Sequence, residues 1–235
     1  MVEHKNSEFQ EEELALYERQ LSLPEIGLNG QKLLKSSSVL CVGSGGLGSP
    51  VLLYLAAAGV GRIGIVDFDL VENSNLHRQV IHSFNWVGKP KVESAKNRII
   101  QINPYCKVET YKKILNKSNA LDIFETYDII CDCADNFPTK YLINDACLIL
   151  NKPSIYGSIS GFDGHASVFN LKNNSPNLRD FIPEPPPNDL IPSCSDRGVL
   201  GILPGIIGLI QATEILKIIT HNGQTLNERI LIFYL

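Results

Sequence analysis

Residues 38–48 read SVLCVGSGGLG, a short apolar run that stops at a cluster of glycines. A buried run of this kind is typical of a parallel strand. Residues 47–58 have helical periodicity and end before Gly59, which predicts a helix directly after the cluster. Strand, glycine turn and helix together satisfy the pattern of a phosphate-binding loop in its required context. The glycines of this loop are Gly43, Gly45, Gly46 and Gly48.

The chain on either side of this loop alternates apolar strand-like runs with helical patterns. Such alternation predicts an α/β fold, here a Rossmann-like, doubly wound, mostly parallel sheet whose C-terminal strands run antiparallel. The proline-rich residues 172–197 predict a long crossing loop that covers or carries a site. The predicted strands are residues 38–42, 63–67, 108–112, 128–133, 154–159, 165–171 and 229–235. The predicted helices are residues 8–21, 47–58, 91–102, 137–150 and 199–220.

Composition excludes several classes of protein. The 235 residues are 44% hydrophobic and carry a net charge of −4, so we expect a folded chain without a broad basic surface for nucleic acid. The longest apolar run, residues 199–210, is too short to span a bilayer, and we expect no membrane partner. Six cysteines without a Cys-x-x-Cys pair and an N-terminus without an apolar signal core predict a reducing compartment. That compartment is the cytoplasm, or an organelle stroma for an organelle-encoded chain.

An acid follows the second predicted strand at the distance that a nucleotide site requires. Asp67 comes 19 residues after Gly48, where a carboxylate reaches the ribose hydroxyls of a bound nucleotide. The alternative is a tight turn that binds nothing, but motif, context and acid together favour a nucleotide. The loop by itself does not distinguish NAD from ATP.

Residues 67–91 favour ATP. An NAD site needs one ribose-binding acid, whereas here Asp69, Arg78 and Lys91 follow as well. The two cations would neutralise a triphosphate, and arginine matches phosphate oxygens bidentately. Asp69 could hold Mg²⁺ together with Asp135, which follows a later strand. The alternative is a charged loop in solvent.

The combined motifs resemble the ubiquitin-activating-enzyme-like superfamily. Within it they are most similar to the molybdopterin-synthase and thiamine sulfur-carrier adenylyltransferases. The resemblance extends from about residue 17 to residue 235. The motifs that carry it are Tyr17-Glu-Arg19-Gln20, the loop of residues 43–48, Asp67-Phe-Asp69, Ser74-Asn-Leu-His-Arg78-Gln79, Gly88-Lys-Pro-Lys91-Val-Glu-Ser-Ala95 and Asp132-Cys-Ala-Asp135-Asn136.

The resemblance implies ATP-dependent adenylation of the C-terminal glycine of a ubiquitin-like sulfur carrier that ends in Gly-Gly. It implies that Asp67 binds ribose, that Asp135 binds Mg²⁺ and that Arg19 reaches the ATP of a neighbouring subunit, hence a homodimer. The residues that it assigns to the nucleotide are Gly43, Gly45, Gly46, Gly48, Asp67, Asp69, Ser74, Asn75, Leu76, His77, Arg78, Lys91, Asp135 and Asn136. Those that it assigns to catalysis are Arg19, Arg78, Lys91 and Asp135.

The same resemblance divides the chain. It implies a single adenylating domain over residues 1–235, with an N-terminal helical arm at 1–36 and a nucleotide-binding core at 37–150. Residues 151–235 are then the portion for carrier binding and dimerisation, with the crossing loop at 172–197.

The chain departs from the family pattern in three respects. Many relatives bind zinc through two Cys-x-x-Cys pairs, but Asn177 and Asp180 stand at the first pair and the second would lie beyond Leu235, so we expect no zinc. Lys140 stands where relatives often have arginine. No sulfurtransferase domain follows, which predicts a separate sulfurtransferase as sulfur donor.

Cys194 lies between the proline-rich loop and a helix start, a placement that lowers the pKa of some thiols. In relatives a cysteine here accepts the carrier covalently or is dispensable. Cys194 is therefore a candidate acceptor thiol, with an unreactive loop cysteine as the equal alternative. Cys131 and Cys133 are predicted to be strand core.

Three other functions stay open at this stage. A tRNA threonylcarbamoyladenosine dehydratase uses the same core on a different carboxylate, but the negative charge disfavours tRNA. A non-catalytic subunit that binds a ubiquitin-like protein would typically lack the charged nucleotide residues that this chain keeps. An NAD oxidoreductase is the weakest candidate, because no hydride-transfer site is evident.

Overall fold

The computed structural model describes residues 9–185 and 198–235. Its strands are β1 (Ser38–Val42), β2 (Arg62–Val66), β3 (Lys107–Tyr111), β4 (Ile129–Asp132), β5 (Ser154–Ser160), β6 (Asp163–Phe169) and β7 (Leu231–Tyr234). Its helices are α1 (Glu11–Leu16), α2 (Glu18–Leu21), α3 (Gly27–Ser36), α4 (Gly48–Ala58), α5 (Lys91–Ile102), α6 (Ala120–Glu125), α7 (Phe137–Leu150), α8 (Leu178–Phe181) and α9 (Ile202–Thr220). Short 3₁₀ turns occur at Asn73–Asn75 and Phe84–Trp86.

These strands form one sheet in the order β3-β2-β1-β4-β5-β6-β7. Strands β1 to β5 pair in parallel, and β6 and β7 are added antiparallel at one end. Ser160 pairs with Asp163, so only two residues connect β5 to β6, a connection that antiparallel strands alone allow. The predicted fold class, including the antiparallel C-terminal strands, is confirmed.

Helices cover both faces of the parallel part of the sheet. Alternate residues of β1 point to opposite sides, as the pleat requires. Val39 and Cys41 pack into a core with α4, α5 and α9, whereas Leu40 and Val42 pack with α6 and α7. Every residue of β1 is buried, which explains why its sequence reads as a continuous apolar run and does not alternate.

Helix α9 is the long apolar helix of the C-terminal half. Among the described residues it is the one helix long and apolar enough to cross a membrane, and half of its most apolar window is buried. It packs against α4, β5 and β6, as expected for a core helix. The predicted helix at 199–220 is confirmed with a later start.

The N-terminal arm differs from its prediction. The single helix expected at 8–21 is divided into α1 and α2 at Tyr17, whose backbone is not helical (φ −103°, ψ 8°) and whose side chain is buried. Helix α3 lies within the predicted N-terminal helical arm of residues 1–36 but has no predicted range of its own, and α6 is not predicted. Glycines at positions 27 and 30 obscure α3, and α6 has only six residues, too few for a helical period to be recognised.

The crossing loop begins with structure of its own. Asn177 caps α8 by accepting a hydrogen bond from the Arg179 N–H at 2.9 Å, and Asp180 accepts one from the Asn177 N–H at 2.8 Å. Arg179 also forms a bidentate ion pair with Asp145 on α7. The two residues that stand at the family's cysteine positions therefore form a reciprocal capping box.

Candidate active site

A cleft of about 860 Å³ lies at the carboxyl ends of β1, β2 and β4. Strand β1 is the point from which the strand order runs in both directions, and open α/β sheets bind ligands at such a switch point. The predicted residues that line the cleft are Gly43, Gly45, Gly46, Asp67, Asp69, Arg78, Lys91, Asp135 and Asn136. Gly48 begins α4 and is buried behind the loop.

The glycine loop is shaped for an anion. Gly43 has φ +102°, and a Cβ at this position would lie 2.7 Å from the carbonyl oxygen of Cys133, so a side chain would be strained and crowded. Within the described residues no side chain caps the N-terminus of α4. The Ser49 N–H already donates to the carbonyl of Gly45, and Pro50 has no N–H, so the helix start offers a phosphate in the cleft chiefly the positive end of its dipole.

Ser44 is held in place from two sides. Asp67 Oδ2 accepts hydrogen bonds from the Ser44 N–H at 2.9 Å and the Ser44 hydroxyl at 2.8 Å. His82 Nε2 donates to the Ser44 carbonyl at 3.0 Å, and His82 Nδ1 then accepts from the hydroxyl of Ser94 at 3.0 Å. Asp67, the predicted ribose ligand, thus also orders the loop before any nucleotide arrives.

Burial lowers the pKa of His82 to about 4, and the positive charge of Lys91 acts in the same direction. The imidazole is therefore neutral in the folded protein at pH 7, which its two hydrogen bonds allow. In the unfolded chain the same group has a pKa near 6.5.

We expect a pH-dependent stability from this histidine. Between about pH 6.5 and 4 the unfolded chain binds a proton that the folded protein does not, so stability is complete above 6.5 and falls as the pH is lowered. The free energy of unfolding is then lower by about 3 kcal/mol at pH 4, because each unit of pKa difference corresponds to about 1.36 kcal/mol. Denaturant unfolding at several pH values should show a weaker pH dependence for His82→Gln. The exposed His221→Asn is the matched control, and an unchanged pH dependence in His82→Gln would contradict the assignment.

Both cations that were predicted to contact the phosphates face the cleft. Lys91 is buried, and its Nζ lies 2.7 Å from Asp69 Oδ2. Arg78 Nη1 donates to the carbonyl of Ser74 at 3.2 Å and lies 2.6 Å from His77 Nε2. Asp69, predicted to hold Mg²⁺ together with Asp135, is thus paired with Lys91 in this structure.

Residues 74–77 do not line the cleft. Ser74 and Asn75 belong to a 3₁₀ turn, and the carbonyl of Asn75 accepts from the N–H groups of Arg78 at 3.1 Å and Gln79 at 2.9 Å. The turn therefore places Arg78 and Gln79 at the cleft. That Ser74, Asn75, Leu76 and His77 contact the nucleotide themselves stays a prediction.

Gln79 is a lining residue that belongs to one of the motifs but to which the sequence analysis assigns no role. Its side chain is buried, and its Oε1 has no hydrogen-bond partner among the described residues. A buried orphan acceptor of this kind is costly unless a ligand or water pairs with it.

Asp135 is the open carboxylate of the site. It follows β4, is exposed, and has one hydrogen bond, from Asn136 Nδ2 at 3.2 Å. Asn136 in turn caps α7 through the N–H of Thr139 at 3.0 Å. Mg²⁺ in phosphate sites is usually held by one or two carboxylates plus phosphate oxygens and water. Asp135 fits that requirement, although no group of three or more acidic, histidine or cysteine ligands occurs in the described ranges.

The cleft extends beyond the nucleotide loops. Its far half is lined by the end of β5, the start of β6 and α8, including Ser158, His165 and Phe181. No sequence motif indicated these residues, because a hairpin and a loop distant in sequence bring them together. Cys133 also lines the cleft: it is buried as predicted, but it lies just beyond β4 rather than within the strand.

The two remaining predicted residues lie elsewhere. Arg19, on α2, is exposed and does not line the cleft of its own chain. Cys194 lies outside the described residues, so its role as an acceptor thiol stays a prediction.

The fold and this cleft define the class of protein as Rossmann-like α/β with a nucleotide-type site at the carboxyl edge of the sheet. Within that class the chain belongs to the ThiF family, whose profile matches residues 17–235.

Curated relatives agree. The chain is 50% identical over 227 residues to a probable adenylyltransferase/sulfurtransferase MoeZ of Mycobacterium tuberculosis. The matched region covers 94% of this chain and 57% of the relative. It is 46% identical over 226 residues to the sulfur carrier protein adenylyltransferase of Thermus thermophilus, covering 94% of this chain and 83% of that protein. The chain thus spans little more than half the length of the mycobacterial relative.

A solved structure shares the fold. The crystal structure of E. coli MccB with ATP superposes with a TM-score of 0.80 at 23% identity, over 100% of this chain and 71% of MccB.

Proposed function

We propose that this chain adenylates the C-terminal glycine of a ubiquitin-like sulfur-carrier protein, using ATP and releasing pyrophosphate. One observation carries the proposal: a single cleft joins the glycine loop, two cations and an open carboxylate to a second half formed by β5, β6 and α8. The first half suits a nucleotide triphosphate, and the second gives room for an extended peptide end. The names of the Thermus and Mycobacterium relatives support the same activity.

The nucleotide half has the groups that the reaction needs. The N-terminus of α4, Arg78 and Lys91 would neutralise the triphosphate, and Asp67 would bind ribose with the acceptor capacity that Ser44 leaves. Asp135 would hold Mg²⁺, which supplies charge neutralisation at the phosphates when bound.

The chemistry follows from bringing two anions together. An oxygen of the carrier's terminal carboxylate attacks the α-phosphorus, an O–P bond forms, and the bond from that phosphorus to the bridging oxygen breaks as pyrophosphate leaves. The protein contributes alignment and positive charge, and this step requires no covalent nucleophile from the chain.

Beyond α8, an apolar part of the sheet that is exposed among the described residues leads to the second half of the cleft. Gly164 faces α9, since a Cβ there would meet Ile207 at 2.5 Å, so its neighbours on β6 face away from that helix. His165, which lines the cleft, pairs in register with Ile232 on β7. Ile232 and Tyr234 are 67% and 74% exposed. This face is where we propose that the carrier docks while its tail enters the cleft.

ATP–pyrophosphate exchange tests the function. We expect exchange only when ATP, Mg²⁺ and a carrier ending in Gly-Gly are present together, and none when the carrier lacks its last two glycines. Molybdopterin and thiamine carriers are both assayed, because the proposal covers either pathway. Tight binding of NAD or tRNA, with no carrier-dependent exchange, would replace the proposal by one of the alternatives.

We also propose a homodimer in which Arg19 of one subunit completes the site of the other. The Arg19 side chain is exposed and forms no hydrogen bond or ion pair with the described residues. A guanidinium group without a partner in the described part of its own subunit is free to contact a second subunit, which supports the proposed dimer. Four further predictions remain proposals that accompany this function. They are a separate sulfurtransferase as sulfur donor, Cys194 as a candidate acceptor thiol, the absence of zinc, and a cytoplasmic or stromal location.

Subunit mixing tests the role of Arg19. Arg19→Ala and Asp135→Ala proteins should each be inactive, yet a mixture should regain exchange because a hybrid dimer has one site with both residues. After full exchange of subunits, about a quarter of all sites are intact. If labelled subunits demonstrably exchange and activity does not return, Arg19 does not act across the dimer.

A further inference from the structure

The residues on either side of Arg19 are fastened to the body of the protein. Arg19 itself is exposed, whereas Tyr17 is 3% exposed and the Gln20 side chain is partly buried. Both neighbours reach the same place, the C-terminal end of α4. Within the four residues from Tyr17 to Gln20, the Arg19 side chain thus extends into solvent, while the side chains of Tyr17 and Gln20 are bound to the body of the protein.

Gln20 forms the first attachment. Its Nε2 donates to the carbonyl of Ala58 at 2.9 Å and to Gln31 Oε1 at 2.6 Å. Gln31, fully buried on α3, donates to the same Ala58 carbonyl at 3.0 Å. The last carbonyls of a helix lack partners within the helix, so these amides satisfy a group that would otherwise be orphaned.

Tyr17 forms the second attachment. Its hydroxyl accepts a hydrogen bond from Asn103 Nδ2 at 2.8 Å, and Asn103 Nδ2 also donates to the carbonyl of Ala56 at 2.8 Å. The Tyr17 ring packs on Gly59, whose φ of +92° ends α4, and a Cβ there would lie 2.7 Å from the ring. The arm and the helix end thus fit without room for a side chain.

Helix α4 connects these attachments to the cleft. Its N-terminus is at the glycine loop, and its 11 residues extend about 16 Å to the end that holds the arm. The arm is therefore attached at the end of α4 opposite the phosphate site, and Arg19 does not line the cleft of its own chain. Arg19 is held at a set position relative to its subunit but outside its own site.

We propose that Gln20 and Tyr17 are positioning residues that fix the turn of α2, so that Arg19 is presented to the site of a second copy of this chain. The inference rests on the proposed function, because it needs Arg19 to act across the dimer. A side chain that is already ordered loses less conformational entropy when it binds. Loosening the arm therefore weakens the Arg19 contact without touching the cleft on the same chain.

Gln20→Ala is the central variant. We expect carrier-dependent exchange to fall by about tenfold or more, since small misplacements of a catalytic group are costly. Tyr17→Phe, which removes one hydroxyl and leaves Asn103 paired with Ala56, should have a smaller effect in the same direction. Glu18→Gln, an exposed neighbour, is the matched control and should keep wild-type activity. The double variant Arg19→Ala/Gln20→Ala should be no worse than Arg19→Ala alone.

Mixing separates positioning across the dimer from a structural effect within the subunit. The mixture of Gln20→Ala with Asp135→Ala should regain activity, because the hybrid site takes its arm from the Asp135→Ala chain. If that mixture stays at the Gln20→Ala level while Arg19→Ala with Asp135→Ala recovers, Gln20 acts on its own site and the inference is wrong. Wild-type activity of Gln20→Ala would also overturn it. Failure of the Arg19→Ala mixture itself would instead overturn the proposed trans role.

Discussion

Asp135→Ala is expected to lower ATP–pyrophosphate exchange by roughly a hundredfold or more, the scale of losing a key electrostatic group at a reacting phosphate. The Asp135 side chain contributes little to the stability of the fold, because it is exposed and has one hydrogen bond, from the neighbouring Asn136. The variant should therefore fold normally. Under the proposed function, removing the carboxylate takes away the protein group that would hold Mg²⁺ beside the phosphates.

Two further variants make this test specific. Asp135→Asn keeps the shape of the side chain and removes the charge, so we expect a comparable loss of activity. Asp122→Ala removes an exposed acid on α6 that does not line the cleft, and it should leave exchange unchanged. The measurement is the initial rate of exchange over a range of Mg²⁺ concentrations. A folded Asp135→Ala protein with exchange within a few-fold of wild type would exclude the catalytic role.

The parts of the structure that follow from local pattern were predictable. Strands β1, β2 and β4, and helices α4, α5 and α7, lie within a residue or two of their predicted ranges. Each is a buried run or an amphipathic segment bounded by glycine, proline or asparagine, so its signal is contained in consecutive residues. The cleft between them follows from the topology, because parallel strands bring their carboxyl ends to one edge.

The parts that depend on distant contacts were not predictable. Asp67 was assigned to ribose alone, although it also binds Ser44, a contact across 23 residues. The sequence predicts one helix over residues 8–21, because consecutive residues do not show that Tyr17 packs on Gly59 and that the helix is interrupted there. Lys140 was noted only as a replacement for arginine, and its partners are visible only in three dimensions.

Lys140 lies in the wall of the cleft, and its Nζ is 3.1 Å from Asp132 Oδ2 and donates to the carbonyl of Gly157 at 2.6 Å. Both members of the ion pair are almost fully buried. From the other face of the sheet Gln211 Nε2 donates to the carbonyl of Asp132 at 2.7 Å and to that of Ile155 at 3.0 Å. The end of β4 is thus held to the first half of β5, three residues before Asp135.

Lys140→Met is expected to destabilise the fold by about 3–5 kcal/mol, because it leaves a buried carboxylate without its partner. Burial already raises the pKa of Asp132, and Lys140 opposes that effect. Without the lysine the pKa of Asp132 rises further above its unfolded value. The folded protein then takes up a proton before the unfolded chain does, so the stability deficit of Lys140→Met should shrink as the pH falls through that raised pKa.

Denaturant unfolding of four proteins tests this account. The exposed Lys117→Met should match wild type within about 0.5 kcal/mol. The double variant Lys140→Met/Asp132→Asn should be more stable than Lys140→Met alone, since it removes the unpaired charge together with its partner. If both variants lose the same stability at all pH values, the lost packing of the lysine chain, and not the carboxylate, is the cause. The ion pair would then be dispensable for holding the Asp135 loop. The hydrogen bonds of Gln211 to the carbonyls of Asp132 and Ile155 would be what connects β4 to β5.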